Sequence, residues 1–333
     1  MKLRELGEWQ LLAELLPGLP AGSEVVVGAG DDAAVIRGDG RWLLLTIDLQ
    51  VEGVHFSLAY TDYRDLGYKA LAVNVSDIAA MGGRPTAAVV GLGLPPETEV
   101  DDVRALYAGL REAAGFYGVS LVGGDTVASP RVLTVSLALL GEVEPGKALL
   151  RSRAKPGDVI CVTGQLGAAA GGLAVLARRL ACPPEIAGPL VRAHLRPVAR
   201  VGAGRVLAAS PGVGAAQDVS DGLLTDLGHI CRASRVGCAL EVAKVPVAPA
   251  AQALAALTGD DPLAWALAGG EDYELLFTVR PWAADEVVAR LEAAGETVTR
   301  IGVITAAEEG ARLIHPDGRQ TPLAPEGYEH FRR

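Results

Sequence analysis

Val25-Val26-Val27-Gly28-Ala29-Gly30-Asp31-Asp32-Ala33-Ala34-Val35 is the stretch on which the fold turns. Three β-branched residues followed by Gly-x-Gly-x-x-Ala have the spacing of a dinucleotide-binding turn, and Asp48 stands where a ribose-binding acid belongs. Charge argues against that reading. A pyrophosphate on this turn would face two carboxylates, whereas an anion site at a helix N-terminus needs positive potential. Space argues against it too. Val35-Ile36-Arg37-Gly38-Asp39-Gly40-Arg41-Trp42-Leu43-Leu44-Leu45 reads as strand, glycine-rich turn and strand, leaving no room for the helix that a nicotinamide oxidoreductase requires. An acidic loop of this kind is better placed to hold a metal than a bare phosphate.

Around that stretch lie 333 residues, half of them apolar and 21% charged, enough for two ordinary domains. The net charge of −10 argues against a non-specific nucleic-acid or anionic-membrane partner, which needs a basic surface, but not against ATP, which needs only local positive charge. Cys161, Cys182, Cys231 and Cys238 form no C-x-x-C pair and have no metal spacing, so reduced thiols in a cytoplasmic protein are expected. The N-terminus has no apolar h-region, so no secretory signal is expected. The uncharged run 159–177 contains a G-x-x-x-G pattern at Gly167 and Gly171. It reads as a short strand, a turn and an Ala-rich helix rather than a membrane span.

The first half alternates strands and helices. Trp42–Asp48 is expected as a strand, continuing after a break at Val51–Phe56. A helix is expected from Thr61 or Asp62 to Met81, stopped by Gly82-Gly83. Thr86–Leu94 reads as a strand, and Thr98-x-x-Asp101 as a capping box opening a helix to about Tyr117. Val119–Val122 and Val132–Val143 read as strands around a loop Gly123-Gly124-Asp125-Thr126. The segment Glu144–Asp158 is the candidate boundary, dividing the chain into residues 1–145 and 146–333. Beyond it, helices are expected near 166–180, 197–209, 221–234, 248–258 and 283–294, with strands near 237–242, 273–279 and 297–304.

Acidic residues recur at strand ends, loops and helix starts: Asp31-Asp32, Asp48, Asp77, Asp125, Asp218-x-x-Asp221 and Glu271-Asp272. Carboxylates gathered without counter-ions resist ionising together, and hard divalent cations such as Mg²⁺ relieve that repulsion. Any one of these acids is more often a turn residue or a helix cap than a ligand. Asp77 resists the bland explanation, because it lies within the apolar helix pattern of Leu71, Val73, Val75 and Ile78. A short echo links Asn74-Val75-Ser76-Asp77 to Asp218-Val219-Ser220-Asp221, too short to establish duplication. No P-loop, no Gly-x-Ser-x-Gly and no zinc-like histidine spacing is present.

The ordered set of segments is more specific than its members. Gly28–Ala34, Thr46–Phe56, Asn74–Pro85, Gly123–Thr126, Asp218–Leu223, Gly269–Leu275 and Gly327-Tyr328-Glu329-His330-Phe331 together closely resemble the thiamine-monophosphate kinase family. That family belongs to the aminoimidazole ribonucleotide synthetase-like ATP-binding superfamily. The resemblance runs from about residue 5 to 331. It implies a two-domain α/β fold with mixed sheets, in which residues 1–145 bind ATP and Mg²⁺ and form a homodimer while residues 146–333 complete the substrate site. It implies transfer of a phosphoryl group from ATP to thiamine phosphate. Several Mg²⁺ ions would be held by Asp31, Thr46, Asp48, Asp77, Asp125, Asp218 and Asp221, with Asp48 and Asp77 acting in catalysis through metal. Tyr107, Gly124, Asp125, Ser220 and Arg151, or its neighbour Arg153, would match ATP contacts. His55, Glu271 and Tyr328 would match substrate contacts, with Tyr328 standing where many relatives carry tryptophan.

The chemistry suits those residues. The acceptor is an anionic phosphate oxygen, so no general base is needed, and catalysis reduces to aligning two phosphates in line while metal screens their charge. The thiazolium ring is cationic, which suits Glu271 and an aromatic face at Tyr328. Alternatives are a phosphoribosyl-formylglycinamidine cyclo-ligase of the same superfamily, or a catalytically silent nucleotide- or metal-binding protein. The Val51–Phe56 and Gly269–Glu274 segments favour the kinase. A selenophosphate synthetase relies on a reactive cysteine near its N-terminus, whereas the first cysteine here is Cys161.

Overall fold

The computed structural model describes residues 2–324, 327, 328, 330 and 331. The first half comprises α1 (Leu3–Leu6), α2 (Glu8–Leu15), β1 (Val25–Val27), β2 (Ala34–Arg37), β3 (Trp42–Val51), α3 (Tyr63–Ala80), β4 (Arg84–Leu94), α4 (Val100–Tyr117), β5 (Ser120–Ala128) and β6 (Thr134–Val143). Its six strands form one sheet in the order β1-β2-β3-β6-β4-β5, where β4 and β5 are parallel and the other neighbours antiparallel. Ala34 pairs with Leu45 and Arg37 with Trp42, so the acidic loop is followed by a hairpin and not by a helix.

The second half comprises β7 (Val159–Thr163), α5 (Ala168–Arg178), α6 (Pro184–Leu195), α7 (Val201–Ala209), β8 (Val213–Asp218), α8 (Leu223–Ser234), β9 (Gly237–Glu241), α9 (Pro249–Thr258), α10 (Pro262–Ala268), β10 (Leu275–Val279), α11 (Ala284–Ala293), β11 (Val298–Thr305), β12 (Ala311–Ile314) and β13 (Gln320–Pro322). These strands form a second mixed sheet, β13-β12-β9-β11-β7-β10-β8, with β12 parallel to β9.

α3 is the axis of the molecule. Asp62 caps it by accepting the Asp65 N–H at 2.7 Å, and nearly every residue from Leu66 to Ala80 is buried. A helix buried on all sides needs partners all round. The first sheet and α4 lie on α3, and α7 and β8 of the second half close over it. Contact with α4 depends on two glycines: a Cβ on Gly67 would fall 2.0 Å from the Leu106 carbonyl oxygen, and one on Gly109 1.8 Å from that of Arg64.

Strand β3 shows the two faces of the first sheet. Leu44, Thr46 and Gln50 are buried on the side of α3, with Asp48 between them, while Leu43, Leu45, Ile47 and Leu49 are 38%, 40%, 60% and 50% exposed on the other.

Several expectations are corrected. β5 runs straight through Gly123–Thr126, which is paired strand and not a loop. Thr98 does not cap α4, whose N-cap is Glu99 without a side-chain bond. β3 continues unbroken to Val51, and the following residues form a turn closed by the single bridge between Glu52 and Phe56. α6 and α10 stand where Pro183-Pro184, Pro189 and Pro262 had hidden helical periodicity. Pro184 and Pro262 occupy first-turn positions, which tolerate the missing N–H. Among the described residues no helix is long and apolar enough to cross a membrane.

Candidate active site

The chain brings its acids together from both halves. Asp32 comes from the turn between β1 and β2, Asp77 from the last turn of α3, and Asp218 from the end of β8. Each offers a carboxylate oxygen within 4.8 Å of the others. Thr46 Oγ1 donates to Asp77 Oδ2 at 2.5 Å, and Ser76 Oγ to Asp218 Oδ2 at 2.5 Å. The echoed tetrapeptides therefore meet in space, one inside a helix and one at a strand end. The Arg151 backbone N–H donates to Asp31 Oδ1 at 2.9 Å, and its guanidinium pairs with Asp32. The Arg153 carbonyl accepts from Arg280 Nη2 at 3.2 Å, and the Arg153 guanidinium charge acts on Asp31 alongside that of Arg151.

Electrostatically the cluster is short of positive charge. Burial above all pushes Asp31 up to about 7, Asp48 and Asp221 to about 6, and Asp218 to about 8. Asp77 is raised well above the usual carboxylate range, first by burial and then by Asp48 and Asp218. Its place at the negative end of a helix dipole works in the same direction. Asp32 Oδ2 and Asp218 Oδ1 are buried with no hydrogen-bond partner. Hard oxygen donors, packed closely and under-compensated by one arginine, fit a divalent cation such as Mg²⁺.

Beside the cluster runs a cleft of about 820 Å³. Asp48, Asp77, Ser220 and Asp221 line it together with His55, Glu271 and Tyr328. Val219, Ser220 and Asp221 hold this arrangement through their carbonyls, which accept from Tyr273 N at 2.9 Å, Glu271 N at 2.8 Å and Tyr328 N at 3.2 Å. The turn itself is fixed by Asp226, whose Oδ2 accepts the N–H groups of Ser220, Asp221 and Gly222 at 3.1–3.2 Å. Asp272 turns away from the cleft and accepts the Gly167 and Ala169 N–H groups at 2.7 and 3.2 Å, where α5 begins.

Glu271 adopts a left-handed backbone, φ +67°, a conformation costing a non-glycine residue on the order of 1 kcal/mol or more. Its carboxylate meets Lys69 Nζ at 2.6 Å and His194 Nδ1 at 2.9 Å. Burial opposes its ionisation, yet the ammonium of Lys69 and then His194 hold it down to about 2. His55 Nδ1 accepts the Val51 N–H at 3.1 Å, and burial keeps the ring neutral by lowering its pKa.

Three residues of the expected nucleotide site stand apart. Tyr107 packs on α4 against the core of the first half. Gly124 and Asp125 lie exposed on β5, the edge of the sheet. Asp125 is in register with Gly91, then Ser136, then Leu49, so it shares a face with Leu49 and not with Asp48. Three strand spacings, about 14 Å, separate it from β3. Glu329 lies outside the described residues.

Sequence reasoning missed Lys69, His194 and Asp226 and did not assign Asp32 to the metal group. The signal for Lys69 was present: one lysine inside Leu66-Gly67-Tyr68-Lys69-Ala70-Leu71-Ala72 raises the same question that Asp77 raised. His194 sat in a helix that the prolines concealed.

Comparison with known proteins agrees with this geometry. Residues 30–143 match the family model for the AIR synthase related protein, N-terminal domain, and residues 155–314 that for its C-terminal domain. The thiamine-monophosphate kinase of Bacillus subtilis (strain 168) is 36% identical over 332 residues, covering 98% of this chain and 100% of the relative. That of Escherichia coli (strain K12) is 39% identical over 330 residues, covering 98% of each. The chain belongs to the thiamine-monophosphate kinase family. Among solved structures, AaThiL complexed with AMPPCP and TMP is similar to it with a TM-score of 0.87 and 33% identity, covering 99% of both chains. The structure of the thiamine-monophosphate kinase from Stenotrophomonas maltophilia K279a is also similar, with a TM-score of 0.77 and 37% identity, covering 95% of this chain and 96% of that one.

Proposed function

We propose that this chain phosphorylates thiamine phosphate to thiamine diphosphate, taking the γ-phosphoryl group of ATP by direct in-line transfer. The observation that carries the reading is one cleft lined by Asp77 of the under-compensated acid cluster, by Asp48 and Asp221, and by His55, Glu271 and Tyr328. Identity along nearly the full chain to thiamine-monophosphate kinases, and likeness to a relative holding both AMPPCP and TMP, supports it.

In this reading Asp31, Thr46, Asp48, Asp77, Asp218 and Asp221, joined by Asp32, hold Mg²⁺. Bound there, the metal would screen the phosphate charges and orient them. Arg151 and Ser220 face the nucleotide. Glu271 and the ring of Tyr328 receive the thiazolium, and His55 borders the same pocket. No side chain needs to take a proton, because the attacking oxygen is already anionic. The chain's own work is to hold two anionic groups in one dry, rigid line, which contributes on the order of 7–11 kcal/mol when alignment is good.

We further propose a cytoplasmic homodimer, with residues 1–145 as the ATP-binding and dimerising part and residues 146–333 completing the substrate site. Leu43, Leu45, Ile47 and Leu49 on β3, Val89 on β4 and Leu140 on β6 leave an apolar sheet face exposed. Each is already about half buried, so covering the rest contributes roughly 1 kcal/mol apiece. Asp125 shares that face, so a partner seated on it gives Gly124-Asp125 a second cleft to reach.

The test is ADP release by purified protein with ATP and Mg²⁺, offering thiamine phosphate, thiamine or formylglycinamidine ribonucleotide in parallel. Turnover with thiamine phosphate alone, abolished by EDTA, is the expected result. Turnover with the ribonucleotide moves the function to the cyclo-ligases, and silence with all three overturns catalysis.

A further inference from the structure

We propose that Lys69 is a positioning residue for the substrate: it reaches from α3 in the first half to fix the Glu271 carboxylate of the second half in the orientation that receives the cationic ring. The inference rests on the reading of Glu271 as a substrate contact.

Lys69 is 1% exposed, among the most deeply buried large side chains of the molecule. A buried ammonium is costly unless a charge and hydrogen bonds answer it. Its partner is Glu271, 2.6 Å away, whose other oxygen faces His194 at 2.9 Å. One carboxylate oxygen is thereby held by the ammonium, and the other lies against the His194 ring. The backbone beneath them is fixed as well, by the Glu271 N–H bonded to the Ser220 carbonyl and by a left-handed φ. About a quarter of the Glu271 side chain stays open to the cleft (26%), and Val73, one turn beyond Lys69, lines the same cleft.

An ion pair serving only to join the two halves has no need to end on a strained residue at the wall of a cavity. A well-packed apolar pair would join them at similar or lower free energy. The arrangement does serve a ligand. It keeps the carboxylate ionised and aimed before substrate arrives, so no reorganisation is charged to binding. The depressed Glu271 pKa is consistent with that state of the site. His194, His55, Tyr60 and Tyr273 are the other titratable groups facing Glu271, and none supplies a permanent positive charge.

The experiment measures kcat and both KM values for wild type, Lys69→Met, Lys69→Arg, Glu271→Gln and the double variant Lys69→Met/Glu271→Gln. Lys69→Met is expected to raise the KM for thiamine phosphate about tenfold or more while the KM for ATP stays within about twofold. Lys69→Arg recovers most of the loss, and the double variant is no worse for thiamine phosphate than Glu271→Gln alone. A folded Lys69→Met with an unchanged KM for thiamine phosphate overturns the inference, as does one that loses kcat and both KM values together. Should Lys69→Met fail to fold, the double variant, which leaves no unpaired charge, decides. A KM above that of Glu271→Gln means that Lys69 does not act through Glu271. If Glu271→Gln itself binds thiamine phosphate normally, the substrate-site reading falls, whatever Lys69 does.

Discussion

Two buried carboxylate groups face each other along one cleft, and they carry opposite electrostatic signatures. In the acid cluster, burial drives Asp31, Asp48, Asp77, Asp218 and Asp221 upward, and Arg151 is the cation that pairs with the cluster among the described residues. At the ring end, Glu271 is as buried as many of them but is driven down by Lys69 and His194. Desolvation acts alike on both, so the difference lies in where the counter-charge comes from. The chain supplies it for Glu271 from its own sequence. For the aspartates the described residues supply one arginine, and in the proposed function a bound cation supplies the rest. A site whose charge is balanced internally is rigid and ready, whereas one left unbalanced binds cations.

The most severe way to break this contrast is Asp77→Asn. It removes one carboxylate from the deficient end while keeping its shape and the Thr46 contact. The expected outcome is a loss of kcat/KM of about two to three orders of magnitude in ADP release, since electrostatic contributions of that size are typical of a single preorganised group. The metal-free protein should melt no lower than wild type, because a neutral amide replaces a buried carboxyl that resists ionising. Near-normal turnover would remove Asp77 from the metal group.

A mixed dimer sharpens the comparison by asking whether the phosphate end is complete within one chain. Co-expressing Asp77→Asn with Asp125→Asn pairs them at random, so half the dimers are mixed. If Asp125 serves the partner's cleft, each mixed dimer has one intact site of two, and about a quarter of wild-type activity returns from two inactive parents. No recovery would mean that Asp125 serves its own chain.

The third test uses protons in place of metal. The aspartates of the cluster are held above their unfolded value near 3.8, Asp218 as high as about 8. The folded state therefore binds more protons than the unfolded state between those limits, and the stability of metal-free protein falls as pH rises through that window. Melting temperature without metal should drop by several degrees between pH 5 and about 8, and added Mg²⁺ should flatten the profile by replacing the protons. A metal-free profile that rises with pH would show that the cluster is already neutralised from within.

These contrasts mark how far the sequence could be read. The hairpin after Asp31-Asp32 followed from charge and from the absence of room for a helix. Asp77 followed from its misfit with an apolar helix, and the strand–helix order of the first half from periodicity. What sequence missed depends on distance in space. Gly123–Thr126 carries turn-like composition, yet it becomes strand because β4 offers a parallel partner. α6 hides behind Pro184, which its first turn tolerates, and Pro189, which lies inside it. Nothing local announces that Lys69 and Glu271, at opposite ends of the chain's length, share one buried pair, or that Asp125 would face away from Asp48. The family resemblance named the ligand roles; the fold adds who holds each side chain in place.

The mildest perturbation tests the ring end from its open side. Tyr328 is 48% exposed, and its backbone N–H is tied to the Asp221 carbonyl, so removing the ring leaves the segment anchored. An aromatic face contributes roughly 0.5–1 kcal/mol to an exposed cation. Tyr328→Ala should therefore raise the KM for thiamine phosphate by about two- to fivefold, with ATP unaffected. Tyr328→Trp should restore or improve binding, because the larger ring offers the stronger face. If Tyr328→Ala instead weakens ATP selectively, the ring belongs to the deficient end of the cleft. The division between an internally balanced and a ligand-balanced end would then have to be drawn elsewhere.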